Sequence, residues 1–269
     1  MDDDPHIIFA HGGRADFRGE HKANYVFLSA PNISFAVQTE LTDFLLPRPQ
    51  LVHGSFLTKA GLVLRSEVDG REFCVLYDAN EVGFRMHDFK THENRVHHKW
   101  ERDDIDTHAT ILLEDATLST RAYGWEINVT RKRIFNALPG NPLWKLNTIL
   151  RPLDGTHLSS KYGTSHMTHI APHGIIGQSF DGDDVAVSGK QDDYSQHARE
   201  MTTSAQAEGA IEGDASEYRI PNLCFHKFSK SRFYTTEYTP YRDVTTLSGA
   251  KTVSNRNTVA FTADENEYT

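Results

Sequence analysis

Trp125-Glu126-Ile127-Asn128-Val129-Thr130 places Trp125, Ile127 and Val129 on one side of the chain and Glu126, Asn128 and Thr130 on the other. Successive side chains of an extended strand point to opposite faces, so an apolar period of two is the pattern of a half-buried strand. The alternation recurs upstream, where Ile33, Phe35 and Val37 interleave with Ser34, Ala36 and Gln38 after Tyr25-Val26-Phe27-Leu28-Ser29 and a Pro31-Asn32 turn. Phe56-Leu57-Thr58, 61–68, 72–77, 110–113 and 118–123 read the same way, and Asp69-Gly70 supplies a hairpin signal between two of them. Leu138-Pro139-Gly140-Asn141-Pro142 interrupts the pattern, and a further strand or two follow it. No long helical period stands out. Residues 193–207 predict a short helix, and the polar, histidine-rich residues 86–108 predict a long loop. The expectation is an all-β fold, mostly antiparallel: a β-sandwich or open barrel-like sheets with a C-terminal extension.

The 269 residues, 38% of them hydrophobic, suffice for one large β domain with its own core, assigned to residues 1–221, with residues 222–269 as an arm or an added β-layer. In that extension Phe225, Phe228, Phe233, Tyr234 and Tyr238 argue for docking on the domain or on a neighbouring chain, which makes a homo-oligomer an expectation. A formal net charge of -9 repels polyanions, so no nucleic acid partner is expected. Arg131-Lys132-Arg133 is short and reads as a solvated strand end. No run is long and apolar enough for membrane insertion, and Met1-Asp2-Asp3-Asp4-Pro5 is acidic where a signal peptide is basic, which fits an intracellular protein or a mature form. Cys74 and Cys224 are either one long-range disulfide or two buried thiols.

His173-Gly174-Ile175-Ile176-Gly177-Gln178-Ser179-Phe180-Asp181-Gly182-Asp183-Asp184 reads as a strand, a tight turn and an acidic loop. Asp181, Asp183 and Asp184, with Asp192 and Asp193, offer the carboxylate oxygens that calcium prefers; the competing reading is a solvated acidic turn. His166, His169 and His173 are the transition-metal candidates, although on a strand spanning residues 165–170 the first two rings would point to opposite faces. His87, His92, His97, His98 and His108 cluster in sequence only. No nucleophile elbow and no phosphate-binding glycine loop occurs. Asp103, Asp104, Asp106 and Glu114 read as charged loop. Trp100, Trp125 and Trp144, with Tyr234, Tyr238 and Tyr241, are candidates for a sugar- or protein-binding platform, while strand phase assigns Trp125 to the core.

Asp4-Pro5-His6, Gly13, Asp16-Phe17-Arg18-Gly19 and the two strands that follow resemble the start of von Willebrand factor type D-like domains. Gly174-Ile175-Ile176-Gly177 is similar to that family's Gly-x-x-Gly signature in its cysteine-poor form, as in root-cap domains and the C-terminal domains of inter-alpha-trypsin inhibitor heavy chains. Gly209-Ala210-Ile211-Glu212-Gly213 and Tyr218-Arg219-Ile220-Pro221 resemble the close of the inhibitor version, so the resemblance spans residues 4–221. The sequence departs from the family in having no cysteine beside the glycines, and in having Gln178 and Ser179 where the family's calcium loop has Asn. The resemblance implies a non-enzymatic structural or binding module, extracellular or on a cell surface, with a protein or glycan partner and no cofactor beyond calcium. The rival expectation is a metal-assisted or cofactor-free enzyme built on the histidine-rich segments.

Overall fold

Among the described residues, fifteen strands carry the alternation into three dimensions. The computed structural model describes residues 5–46, 50–66, 68–92, 94–102, 109–134, 137–153, 172–181, 185–194 and 199–225. A short hairpin of β1 (His6–Ile8) and β2 (Arg14–Asp16) opens the fold. The larger sheet contains β3 (Ala23–Ala30), β4 (Ile33–Leu45), β5 (Leu51–Arg65), β6 (Glu72–Asp78), β7 (Phe84–Asp88) and β8 (Asn94–His97), ordered β3-β4-β5-β6-β7-β8 and antiparallel throughout. The second sheet, in the order β13-β12-β11-β10-β9, consists of β9 (Lys99–Arg102), β10 (Ala109–Glu114), β11 (Thr117–Ala122), β12 (Trp125–Arg133) and β13 (Trp144–Pro152). Two short strands finish the larger sheet: β14 (Glu200–Thr202) runs parallel to β5, and β15 (Arg219–Ile220) flanks β3. The all-β, mostly antiparallel expectation holds, and neither sheet closes into a barrel.

One continuous core joins the sheets. Trp125, Ile127, Val129, Leu118 and Ile111 from the smaller sheet pack in one cluster with Phe27, Phe35, Leu62, Leu64, Phe73 and Val75 from the larger. Two layers that bury one face each into a shared core make a sandwich. The opposite face of the larger sheet carries Val63 and Cys74, and there residues 222–225 lie as a strap fastened by the Cys74–Cys224 disulfide, with Cα atoms 5.5 Å apart. Gly61 lets the strap approach: a Cβ there would fall 2.4 Å from the Leu223 carbonyl oxygen. The segments read separately at Phe56-Leu57-Thr58 and from Gly61 onward belong to this one strand of fifteen residues.

Three expectations need correction. The histidine-rich stretch is not a loop up to Arg102, because β7 ends in it and β8 and β9 follow. Both are edge strands, one on each sheet, and an edge strand buries too little to imprint an apolar period. Residues 193–207 form no helix in their described part. Thr203 donates to the His53 carbonyl, Arg18 donates to that of Ala205, and β14 pairs with β5, so the backbone is held extended. Only His173 of the Gly-x-x-Gly stretch pairs like a strand, bridging Ser29; residues 177–179 coil into a 3-10 turn. The strand expected at residues 165–170 lies outside the described residues, as does the arm beyond Phe225.

Candidate functional site

The three stretches on which the family resemblance rests meet in space. His6 and Asp16 face each other across the β1–β2 hairpin, with His6 Nδ1 2.5 Å from Asp16 Oδ1, and the other oxygen of this buried carboxylate accepts the Asp192 amide at 2.8 Å. The Ala10 amide donates to Ser179 Oγ at 3.0 Å, tying the N-terminal stretch to the Gly-x-x-Gly turn. From that turn the buried Gln178 side chain donates to the Gly174 carbonyl and to the Tyr218 hydroxyl, and accepts the Glu212 amide at 2.9 Å. Gly174 has φ +97°, and a Cβ on it would sit 2.8 Å from the Phe27 carbonyl, so the turn lies directly on the β3 backbone. These motif residues build the architecture of the fold.

Among the described residues, those read as sites from sequence do not gather at one place. His173 is buried beside β3, on the side away from β4, with its ring 5.6 Å from that of Tyr218. His87 and His92 lie together at the end of β7, 6.3 Å apart, and His97 stacks on Phe84. Five strand spacings, about 24 Å at ~4.8 Å each, separate His173 from β7. His173 therefore shares no site with the histidines of β7 and β8. His108, His166 and His169 lie outside the described residues. Of the calcium candidates, Asp181 is exposed after the 3-10 turn, and Asp183 and Asp184 lie outside the described residues. Asp192 serves a different purpose: its two carboxylate oxygens accept the Ser204 and Ala205 amides and so shape the loop before β15. Among the described residues no group of three or more His, Cys, Asp or Glu side chains is arranged to hold a metal ion. The tryptophans form no common platform either. Trp125 is core, while Trp100 and Trp144 stand on β9 and β13, opposite edges of the smaller sheet.

Two concavities among the described residues stand out. The smaller, about 310 Å³, is lined by His173, Gly174, Tyr218, Arg219 and Phe225 beside the Gly-x-x-Gly turn. The larger is a groove of about 660 Å³ where β1, β5 and β13 meet. Its wall includes Ile8, 66% exposed, and Ile149, 59% exposed, which are among the most exposed large apolar residues described. Lys132 and Lys145 also line it, and none of the described lining residues is acidic, on a protein whose net charge is -9. Lys145 is buried, with Nζ 4.9 Å from the centre of the Phe56 ring, an arrangement that favours a cation over an aromatic face. Lys132 read only as part of a solvated strand end, and Lys145, Ile8 and Ile149 carried no sequence signal, because strand order alone brings β1 and β13 to one groove.

Comparison of the sequence and fold with protein-family models, curated proteins and solved structures returns no match in any of the three.

Electrostatics hold the groove's β13 wall in place. Register sets Arg121 opposite Glu126 and Glu126 opposite Arg151, so one buried carboxylate bridges β11, β12 and β13. The hydrogen bond from Arg121 holds the Glu126 carboxyl below its ordinary value; burial opposes this and Arg151 reinforces it. Arg131 lies over the Trp144 ring at 3.8 Å and pins the start of β13. A second ionic cluster stands on the larger sheet, where His53 bridges Asp43 and Glu200 at 2.6 and 2.7 Å and so links β4, β5 and β14. The Glu200 hydrogen bond, then that of Asp43, raises the His53 pKa.

Proposed function

We propose that this protein is a non-enzymatic, type D-like binding module of an extracellular or surface assembly, and that it engages a protein or glycan partner through the groove between β1 and β13. The observation that carries this reading is the groove itself, concave and rimmed by the exposed Ile8 and Ile149. Apolar side chains that open onto a concave surface mark interaction sites, since exposing them to water is unfavourable. The Cys74–Cys224 disulfide supports the compartment, because such bonds persist where the surroundings are oxidising. The type D-like reading is supported by the contact of its three motif stretches around Gln178 and Asp16. Calcium at Asp181, Asp183 and Asp184 belongs to the same proposal, and calorimetry at millimolar Ca²⁺ tests it: no heat and no change in Tm removes the ion.

The function is tested by screening the full-length protein on glycan and extracellular-protein arrays beside an Ile8→Ser/Ile149→Ser double variant. The parent is expected to bind a defined ligand class that the variant loses, while both melt alike, since the two side chains are exposed. Equal binding by parent and variant overturns the groove as the site.

A further inference from the structure

The sequence holds two Asn-x-Ser/Thr triplets, Asn32-Ile33-Ser34 and Asn128-Val129-Thr130, the acceptor pattern for an N-linked glycan. A glycan is bulky and hydrophilic, so a folded chain accommodates one only where the asparagine reaches solvent. The fold separates the two triplets on this ground. Asn32 is 1% exposed in the turn between β3 and β4, with φ +61°; its carbonyl accepts the Arg65 amide, and Ile33 and Ser34 are buried beside it. A sugar on that side chain would force the turn open.

Asn128 has the opposite surroundings. It is partly exposed in the middle of β12, on the face turned away from the core into which Ile127 and Val129 point. Register puts Ser119 of β11 on one side of it and Ile149 of β13 on the other, with Leu112 of β10 beyond Ser119. Ile149 is 59% exposed and Leu112 39%, so this cross-strand row is open to solvent. The same-face neighbours of Asn128 along β12 are engaged within the sheet: Glu126 receives Arg121 and Arg151, and Thr130 Oγ1 lies 3.0 Å from Thr117 Oγ1. The buried Oδ1 of Asn128, by contrast, accepts no hydrogen bond from the described residues. Buried polar groups normally have partners, so an amide that serves no bond in its sheet is accounted for by what it carries.

We propose that Asn128 bears an N-linked glycan on the open face of the smaller sheet, and that Asn32 bears none. In the transfer, Nδ2 of Asn128 loses a proton and bonds to C1 of the first sugar of a polyprenyl-pyrophosphate-linked oligosaccharide. The bond from C1 to the pyrophosphate breaks, the pyrophosphate leaves with the electron pair, and nothing is oxidised or reduced. Thr117 engages the Thr130 hydroxyl in the folded protein, so the transfer precedes the pairing of β11 with β12. The inference rests on the extracellular reading, which brings the chain to such a donor. Asn128 is not among the residues that line the groove, so the glycan is rooted outside it, next to the rim residue Ile149.

The test sends the full-length chain through the secretory pathway of cultured eukaryotic cells on an added signal peptide and collects it from the medium. Peptide N-glycosidase is expected to remove one glycan's mass and convert Asn128 to Asp, with Asn32 unmodified in the peptide map. Asn128→Gln and Thr130→Ala are each expected to abolish the modification, whereas Asn32→Gln and Thr130→Ser, which keeps the acceptor pattern, retain it. Should a variant not fold, the peptide map of the parent still decides. A secreted, disulfide-bonded parent with Asn128 unmodified overturns this inference and leaves the groove reading intact, since the array comparison with the isoleucine variant does not depend on it. A glycan on Asn32 of the folded, secreted protein overturns the choice between the two triplets. A parent retained in the cell without its disulfide overturns the extracellular reading, and this inference with it.

Discussion

At the residue scale, Gly174 shows how a short motif is written by contact. Two glycines have comparable positive φ, +97° at Gly174 and +86° at Gly12, yet a Cβ on Gly12 would meet nothing within 4 Å. Gly12→Ala is therefore expected to cost only backbone strain, about 1–2 kcal/mol, and Gly174→Ala about 2–4 kcal/mol, because Phe27 must also move. Denaturant titration of both variants checks the difference, and equal costs would show that the Phe27 contact is unimportant. His53 supports a prediction with a sign. Its folded pKa is raised above its unfolded value near ~6.5, so its contribution is fully present below that value and disappears as pH rises through the folded pKa. Both acidic partners are exposed, which limits the effect to about 1–3 °C in Tm. The parent should melt above His53→Gln at about pH 6, and the gap should close by about pH 9. A pH-independent gap would assign the loss to packing. Asp16, His6 and Gln178 stood out in the sequence as members of a pattern, but their roles were illegible there, since His6 meets Asp16 only once the β1–β2 hairpin forms, and Asp16 and Gln178 bond to residues far along the chain.

At the element scale, β12 was legible throughout because its environment is two-sided: Trp125, Ile127 and Val129 enter the core as the alternation requires. Its polar face held a surprise. Glu126 is nearly as buried as Trp125, since Arg121 and Arg151 from the neighbouring strands cover it. Glu126→Gln is expected to destabilise the fold by about 1–3 kcal/mol at about pH 7, because it takes the ionised partner away from the charge-assisted hydrogen bonds of both Arg121 and Arg151. Its carboxyl pKa is lowered in the folded state, so the contribution is present above the unfolded value near ~4.3 and is lost as pH falls through the folded one. Parent and variant should therefore converge as the pH is lowered through the acidic range; amide exchange should report the loss first in β13, which Arg151 anchors. β8 and β9 escaped notice for the reason that makes edges hard to read: little burial, hence little periodicity. The open side of β13 was likewise hidden, because being outermost is a property of strand order rather than of the nine residues themselves.

At the scale of the molecule, sequence left the two cysteines undecided, since a separation of 150 residues carries no spacing information. The fold decides it by laying residues 222–225 across the outer face of the larger sheet. Replacing both by serine is expected to lower stability by up to about 5 kcal/mol in the chain-entropy view, given the long closed loop. Thermal melts of parent and variant, with free-thiol counting on the parent, check this; an unchanged Tm would mean that the strap contributes nothing. The same bond has a mechanical meaning. Were the protein pulled by its ends, a tensile load entering at β1 and leaving after Phe225 would pass from Cys74 to Cys224 through sulfur. The polypeptide between them, about 500 Å of contour at ~3.5 Å per residue, cannot be drawn out while that bond stands. The whole smaller sheet, β13 included, lies within that sheltered length, so a ligand held there would not be stripped away by extension of the polypeptide that carries it.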